Sequence, residues 1–368
     1  MSNREPRDCN DECDSTRMAS ANEVKTLASR DEVLTDGVLR DSLFENHPVV
    51  NDEQLLVTPT ANVLFGKVRR AIKFRISGVC SYGIPGAGKT SCAECLSVMI
   101  RREFPSIPVL NTIALSHDDP TERSLWKDIL RGEKLSRGKT AQDLFDELLA
   151  YIAASAHAQE SRVFILIVDE AQHWLAVHWR FLKNLTNVLK SKRYGVRVIT
   201  VSLGQPALAE RIQELKIEPD EGNDLKSRFF PNLHRMEGFG RSEEVAFVLA
   251  QYDSNRFTDF PLGSGVCYSE FFAHQAFAAG WRLERESDAM WLALCNRYPE
   301  KNQVDACIVF PAILRFLLLA AELDSPTFSG TSDLWRQAID GEEGDDEGPR
   351  AVSHAGALNA EVAPAEGA

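Results

Sequence analysis

Gly83-Ile84-Pro85-Gly86-Ala87-Gly88-Lys89-Thr90 spells Gly-x-x-x-x-Gly-Lys-Thr, with Ser91 next. Residues this small let successive backbone N–H groups converge on one anion, and a helix that begins at the lysine adds its positive end. A phosphate chain suits such a loop: Lys89 reaches the terminal phosphates and the Thr90 hydroxyl ligates Mg²⁺. Seventy-nine residues beyond Thr90, Phe164-Ile165-Leu166-Ile167-Val168-Asp169-Glu170 ends an apolar run in two acids. Asp169 at such a tip can hold the magnesium through water beside Thr90, and Glu170 can orient and activate a water against the γ-phosphoryl group. The candidate nucleotide-binding set is therefore Gly83, Pro85, Gly86, Ala87, Gly88, Lys89, Thr90, Ser91 and Asp169, with Thr90 and Asp169 at the metal.

Two further positions bear on the same chemistry. The strand expected over 196–203 is followed by Gly204-Gln205-Pro206, so Gln205, or failing it Ser202, is a polar side chain able to reach the γ-phosphate or its water. Arg228, ahead of Phe229-Phe230-Pro231, is read as a loop residue at the domain edge. An arginine held there can enter an adjacent subunit's site and neutralise charge; a surface salt bridge is the plainer alternative. Gln172 lies near enough to the acids to sense the nucleotide state, although a helix cap explains it equally. His173 and His178 flank Trp174 and Trp179 at a spacing that does not align two metal ligands, so packing or a partner surface is expected. Of the eight cysteines, Cys92 and Cys95 lack a second Cys or His pair at zinc spacing and read as buried thiols.

These groups need a scaffold of strands that end at the loop and the acids. Strands are expected at 76–82, 107–115, 163–168 and 196–203, and helices at 89–101, 122–130, 140–156, 174–191 and 206–215. Strands alternating with helices argue a mostly parallel sheet covered on both faces. The unbroken apolar run before Asp169 is what a strand buried on both faces requires. Thr140 with Asp143 three residues on forms a capping pair in which Asp replaces the usual Glu. From about residue 240 the periodicity is helical, over 241–254, 265–279, 284–298 and 309–322.

The chain divides, on this reading, into a disordered tail (1–30), a helix and extended linker (31–62), an α/β nucleotide domain (63–238), a helical domain (239–340) and a disordered acidic, Ala-rich tail (341–368). Charge is distributed the same way. Residues 1–60 carry 13 acidic and 6 basic side chains and residues 338–368 carry 8 and 1, so the middle is close to neutral although the formal net charge is −13. Two basic groups stand out there, Lys67, Arg69, Arg70, Lys73 and Arg75, and Lys183, Lys190, Lys192 and Arg193. Each is either a solvated face or a contact to nucleic acid. With no apolar run long enough to span a membrane and no leader-like start, a cytoplasmic protein is expected.

The succession Gly83 to Thr90, Ile167-Val168-Asp169-Glu170-Ala171-Gln172, Gly204-Gln205-Pro206-Ala207-Leu208 and Arg228-Phe229 resembles the AAA+ ATPases that include the transposition regulators TnsC and TniB. More distantly it resembles the IstB helper and ExeA-like secretion ATPases. The resemblance covers roughly 60–240. It implies ATP and Mg²⁺ at Lys89 and Thr90, a hydrolytic site at Asp169 and Glu170, a sensor at Gln205 and a finger at Arg228. It also implies a homo-oligomeric ring or filament on double-stranded DNA in the nucleoid, which recruits or activates a transposase and target-selection proteins. The helical region contains no Gly-x-x-Arg pair for a second sensor. The alternative is an oligomeric ATPase switch acting on protein partners, in a defence or secretion-associated system, with Trp174, Trp179, Trp281 and Trp291 as a partner surface.

Overall fold

Five strands, β1 (Gly78–Tyr82), β2 (Val109–Ile113), β3 (Val163–Asp169), β4 (Arg197–Gly204) and β5 (Leu233–Arg235), form one parallel sheet in the order β2-β3-β4-β1-β5. The structure is a computed structural model that describes residues 28–131, 138, 140–215 and 221–341. The expectations for both tails, for the loop 132–139 and for the start of the polar stretch before Arg228 fall largely outside these residues. In chain order the helices are α1 (Arg30–Leu34), α2 (Val38–Glu45), α3 (Pro59–Phe74), α4 (Lys89–Glu103), α5 (Glu122–Arg131), α6 (Ala141–Ala158), α7 (Ala176–Lys190), α8 (Pro206–Glu214) and α9 (Glu221–Phe229). The all-helical region that follows contains α10 (Ser242–Tyr252), α11 (Asn255–Thr258), α12 (Tyr268–Phe272), α13 (His274–Ala278), α14 (Ser287–Arg297), α15 (Ala306–Glu322) and α16 (Ser332–Asp340).

β3 explains why the sheet has helices on both faces. Phe164, Leu166 and Val168 point into one core with α5, α6, α7 and α9, and Val163, Ile165 and Ile167 point into another with α3 and α4. Because side chains alternate along a strand, a run without a polar break demands cover on both sides. Truncating a residue as buried as Leu166 or Ile165 to alanine would remove about 2–5 kcal/mol. Thr140 and Asp143 do form the reciprocal capping box at the start of α6, so the shorter acid reaches the cap backbone.

Several local expectations change. Residues 46–58 are not an extended linker: they turn compactly and, with α1 and α2, pack onto the helical region through Val33, Val49 and Leu56. The one helix expected within 31–62 ahead of the linker is two, separated at Gly37. The basic run from Lys67 to Lys73 belongs to the long helix α3, which Arg75 ends in a left-handed cap. Arg228 lies in the last turn of helix α9 rather than in a loop. β5 and α16 had no expectation.

Beyond β5 the chain is joined to the segment before α15 by a two-residue antiparallel bridge, Phe239 with Val304, made by reciprocal N–H···O bonds of 2.8 Å. Gly238 makes that approach possible, since a Cβ there would lie 2.5 Å from the Val304 carbonyl oxygen. α15 thereby starts directly over the loop that precedes α4.

Candidate functional site

β1 empties into the loop 83–88, and α4 starts at Lys89. Gly86 and Gly88 hold φ of 80° and 75°, a left-handed backbone that glycine adopts without penalty. Gly86 is needed for a second reason: Cys307, at the start of α15, donates its N–H to the Gly86 carbonyl at 3.2 Å, and a Cβ on Gly86 would lie 2.6 Å from the Cys307 sulfur. The loop is thus open to an anion on one side and covered by α15 on the other. Lys89 is nearly buried, with its ammonium donating to the Ile84 carbonyl at 3.0 Å across the loop. Burial lowers its pKa, and the carboxylates of Glu170 and Asp169 oppose the shift.

The Thr90 hydroxyl donates to Asp169 Oδ2 at 2.7 Å, bringing together the two residues expected at the metal. Asp169 is buried and its pKa is raised mainly by desolvation, against the lowering effect of Thr90 and of the Glu170 N–H, which donates to Oδ1 at 2.8 Å. Two close oxygens of this type suit Mg²⁺, a hard cation that prefers carboxylate, hydroxyl and water. Next in the chain, Glu170 sits at φ 52° and turns its carboxylate to polar neighbours. The side-chain amides of Gln172 and Gln205 both donate to Glu170 Oε2, the second at 3.2 Å, and His173 Nε2 stands 3.9 Å away.

Gln172 completes the arrangement by accepting the Gln205 backbone N–H at 2.9 Å. It therefore ties the tip of β4 to the tip of β3, a role its neighbours in sequence did not single out over a cap. Gly204 leaves the room, since a Cβ there would lie 2.7 Å from the Gln172 amide oxygen. Ser202, the second sensor candidate, is fully buried within the sheet and cannot reach the site.

Beside the loop is a cavity of about 310 Å³ lined by Gly86 to Gly88, Ser91, Glu237 to Phe239, Ala306 and Cys307, and by Asp52, Gln54, Leu56 and Thr58 to Ala61. That is the lower end of the size range for small-molecule pockets. Asp52, Gln54 and Thr58 in that wall were not legible as site residues, because they are brought there by the fold of 46–58. The start of α15 contributes Ala306 and Cys307, neither cationic, to the cavity wall. The residues present fit a nucleoside triphosphate with Mg²⁺: an N–H-lined loop that a side chain would fill, a buried lysine, a hydroxyl–carboxylate pair and a cavity alongside. When bound, that group would supply the phosphoanhydride bond and the metal charge.

Arg228 is elsewhere. It stands at the opposite edge, where the strands begin, with its Nη1 donating to Asn187 Oδ1 at 2.6 Å and Thr186 Oγ1 at 3.1 Å on α7. β4 runs 8 residues from Arg197 at that edge to Gly204 at the other, roughly 23 Å at about 3.3 Å per step. Both basic groups reach Arg228's edge: Arg197, at the start of β4, lines a cavity with Lys190 at the end of α7 and donates its Nη1 to the carbonyl of Arg75, just beyond α3, at 2.6 Å. Lys190, Lys192, Arg193, Arg70, Lys73 and Arg75 are exposed. Arg70 and Lys73 stand 5.7 and 5.6 Å over the ring of Phe74, itself 62 % exposed. Lys67 is half-buried, Arg69 is paired with Glu103, and Lys183 is ion-paired to Asp224 at 3.1 Å.

This sheet order, loop and acidic pair define a AAA+ P-loop ATPase domain. Residues 77–212 match the family described as "AAA domain". No curated protein sequence matches the chain. Among solved structures, the Aeropyrum pernix ORC2 protein in ADPNP–ADP complexes is similar in fold, with TM-score 0.50 and 15 % identity over 76 % of this chain. The match spans 66 % of that protein's chain, somewhat less than two thirds. The Aeropyrum pernix ORC1 protein in complex with DNA matches at TM-score 0.45 and 12 % identity, over 79 % of this chain and 67 % of that one. Domain III of the Thermotoga maritima replication initiation protein DnaA matches at TM-score 0.34 and 15 % identity, over 69 % and 92 %.

Among the described residues no helix is long and apolar enough to cross a membrane, and no cluster of three or more His, Cys, Asp or Glu could hold a metal ion. Cys92 and Cys95 are buried free thiols, as are Cys80 and Cys267, whereas Cys295 and Cys307 are exposed.

Proposed function

We propose that this chain is a Mg²⁺-dependent ATPase that assembles with copies of itself as a ring or filament on duplex DNA. Its cellular role on this reading is to regulate transposition, marking target DNA and recruiting or activating a transposase. One observation carries the assembly: Glu170 and Arg228 stand at opposite edges of one sheet, so hydrolysis that uses both needs two copies. Within one copy, the loop N–H groups and Lys89 bind phosphate, Thr90 and Asp169 hold the metal, and Gln172 and Gln205 orient the Glu170 carboxylate that takes a proton from water. The second copy supplies Arg228 as a positive charge aimed at the phosphates.

The DNA part is supported by Arg70, Lys73, Arg75, Lys192 and Arg193, which are exposed around the edge of the sheet where the strands begin, at the ends of α3 and α7. Contacts of this kind, to phosphates alone, are indifferent to sequence. Lys183 leaves the proposed contact set because Asp224 neutralises it. The transposition role itself comes from the motif resemblance. The protein-directed alternative loses its proposed surface, since Trp174, Trp179 and Trp281 are buried and Trp291 packs against the helical core.

Mixing tests the shared site. Arg228→Ala and Glu170→Gln proteins should each be inactive alone, and a mixture should regain ATPase activity at interfaces that pair an intact Glu170 with a neighbour's Arg228. No recovery in mixed oligomers verified by native mass spectrometry would contradict the proposal.

A further inference from the structure

We propose that Lys190, Arg197 and Arg228 form a single cradle for the phosphate chain of the nucleotide held by the adjacent copy. The inference rests on the shared-site reading above and adds two cations to it. Three elements build the cradle: the last residue of α7, the first of β4 and the last turn of α9. Together with Ser77, Thr186 and Ser227 they line a cavity of about 230 Å³.

Three like charges around one cavity repel each other, and the ordinary remedy is a carboxylate between them. Asp224, the one acid lining this cavity, is committed to Lys183 at 3.1 Å. Among the described residues none of the three cations has an acid at ion-pair distance. Neutral oxygens hold the two arginines instead: Asn187 Oδ1 and Thr186 Oγ1 accept from Arg228, and the Arg75 carbonyl accepts from Arg197. Such acceptors fix the direction of a guanidinium without cancelling its charge, so the attraction for an anion is kept. Two planar forks and an ammonium are the donors that match phosphate oxygens, and the Ser77 hydroxyl adds a neutral one.

A free phosphate, a DNA backbone and a nucleotide share that chemistry. A concave cavity that also contains Arg228 suits the end of a phosphate chain, whereas the exposed Lys192 and Arg193 beside it suit a backbone running past.

Two measurements on the full chain test the cradle. In Lys89→Ala protein, whose own loop is disabled, titration calorimetry with tripolyphosphate should detect binding at low salt. Adding Arg197→Ala should weaken it roughly tenfold, the scale of one charge-assisted hydrogen bond, and Arg197→Lys should recover part of the loss. The second measurement dopes inactive subunits into wild-type assemblies. A Glu170→Gln subunit keeps nucleotide and loses its own turnover, so it affects hydrolysis only through the edge it offers a neighbour and should leave that neighbour active. Adding Arg228→Ala or Arg197→Ala to it should silence the neighbour. If Arg228→Ala silences and Arg197→Ala does not, the cradle is wrong while the shared site stands; if neither does, both fall. Absence of tripolyphosphate binding also overturns the cradle, as does a loss of duplex DNA affinity on Arg197→Ala with turnover untouched. Arg197→Gln, which keeps the length of the side chain and removes its charge, decides the matter should the alanine variant fail to fold.

Discussion

Glu170 adopts a left-handed backbone that few non-glycine residues take, and four groups around it hold it there: its own N–H on Asp169, the amides of Gln172 and Gln205, and His173 close by. Glutamine in its place keeps the shape and loses the base, so Glu170→Gln should retain nucleotide and lose turnover by about 10²–10⁴-fold. Lys89→Ala should instead weaken Mg-nucleotide binding by about 1.5–3 kcal/mol, the scale of a hydrogen bond to a charged group. Titration calorimetry beside steady-state hydrolysis separates the two; brisk turnover by Glu170→Gln, or wild-type affinity in Lys89→Ala, would refute the assignments. Residues whose role follows from their own neighbours in the chain were legible: Lys89, Thr90, Asp169 and Glu170 announce themselves by spacing. Gln172 was half legible, because its amide joins two strand tips that only the sheet brings side by side.

The N-terminal arm is the element that sequence periodicity described least well. His47 is buried in a cage of the rings of Phe260, Tyr268, Phe271 and Phe272, all 4.6–4.8 Å away, with its Nδ1 accepting the Val49 N–H at 3.1 Å. Nothing in residues 46–58 announces partners more than two hundred positions distant. The arm is also tied to α10, where the Gln251 amide bonds both the N–H and the carbonyl of Val57, and Arg30 pairs with Glu270. Burial without a counter-charge drives the His47 pKa down from 6.5 to about 3. The unfolded chain therefore binds a proton below about pH 6.5 that the folded chain refuses until about pH 3. Stability is full above pH 6.5 and falls as pH is lowered, by about 1.4 kcal/mol per unit in that window from this group. Thermal unfolding of His47→Phe should show a shallower decline between pH 7 and 5 than the unsubstituted protein; an identical slope would exclude His47 as its source. β3 was legible for the opposite reason, since a strand covered on both faces leaves an apolar run that no turn residue interrupts. β5, three residues with His234 and Arg235 among them, is too short and polar to leave such a trace, and it is held by pairing with β1. Arg228 was assigned to a loop because α9 begins in the polar stretch that follows α8.

At the scale of the whole molecule the two edges of the sheet differ in charge. Basic side chains gather where the strands begin, from Lys73 and Arg75 to Lys190, Lys192, Arg193 and Arg228, while Asp118, Asp119, Glu122, Asp169 and Glu170 follow the strand ends. A formal net charge of −13 concealed this, because the acid excess is concentrated toward the ends of the chain. Repeating these basic side chains along an assembly would multiply modest contacts, so affinity for duplex DNA should grow with assembly and decline steeply with salt. Arg70→Glu, Lys73→Glu and Arg75→Glu together should weaken that affinity on every sequence and flatten its dependence on salt. Removing residues 1–27 and 342–368 should strengthen it or leave it unchanged. The most direct measurement is electron microscopy of the protein with a non-hydrolysable ATP analogue, with and without plain duplex DNA, beside a salt titration of binding. Rings or filaments that require both analogue and duplex, with affinity falling log-linearly in salt, are the expected result; assembly indifferent to DNA, with no duplex binding at low salt, would contradict it.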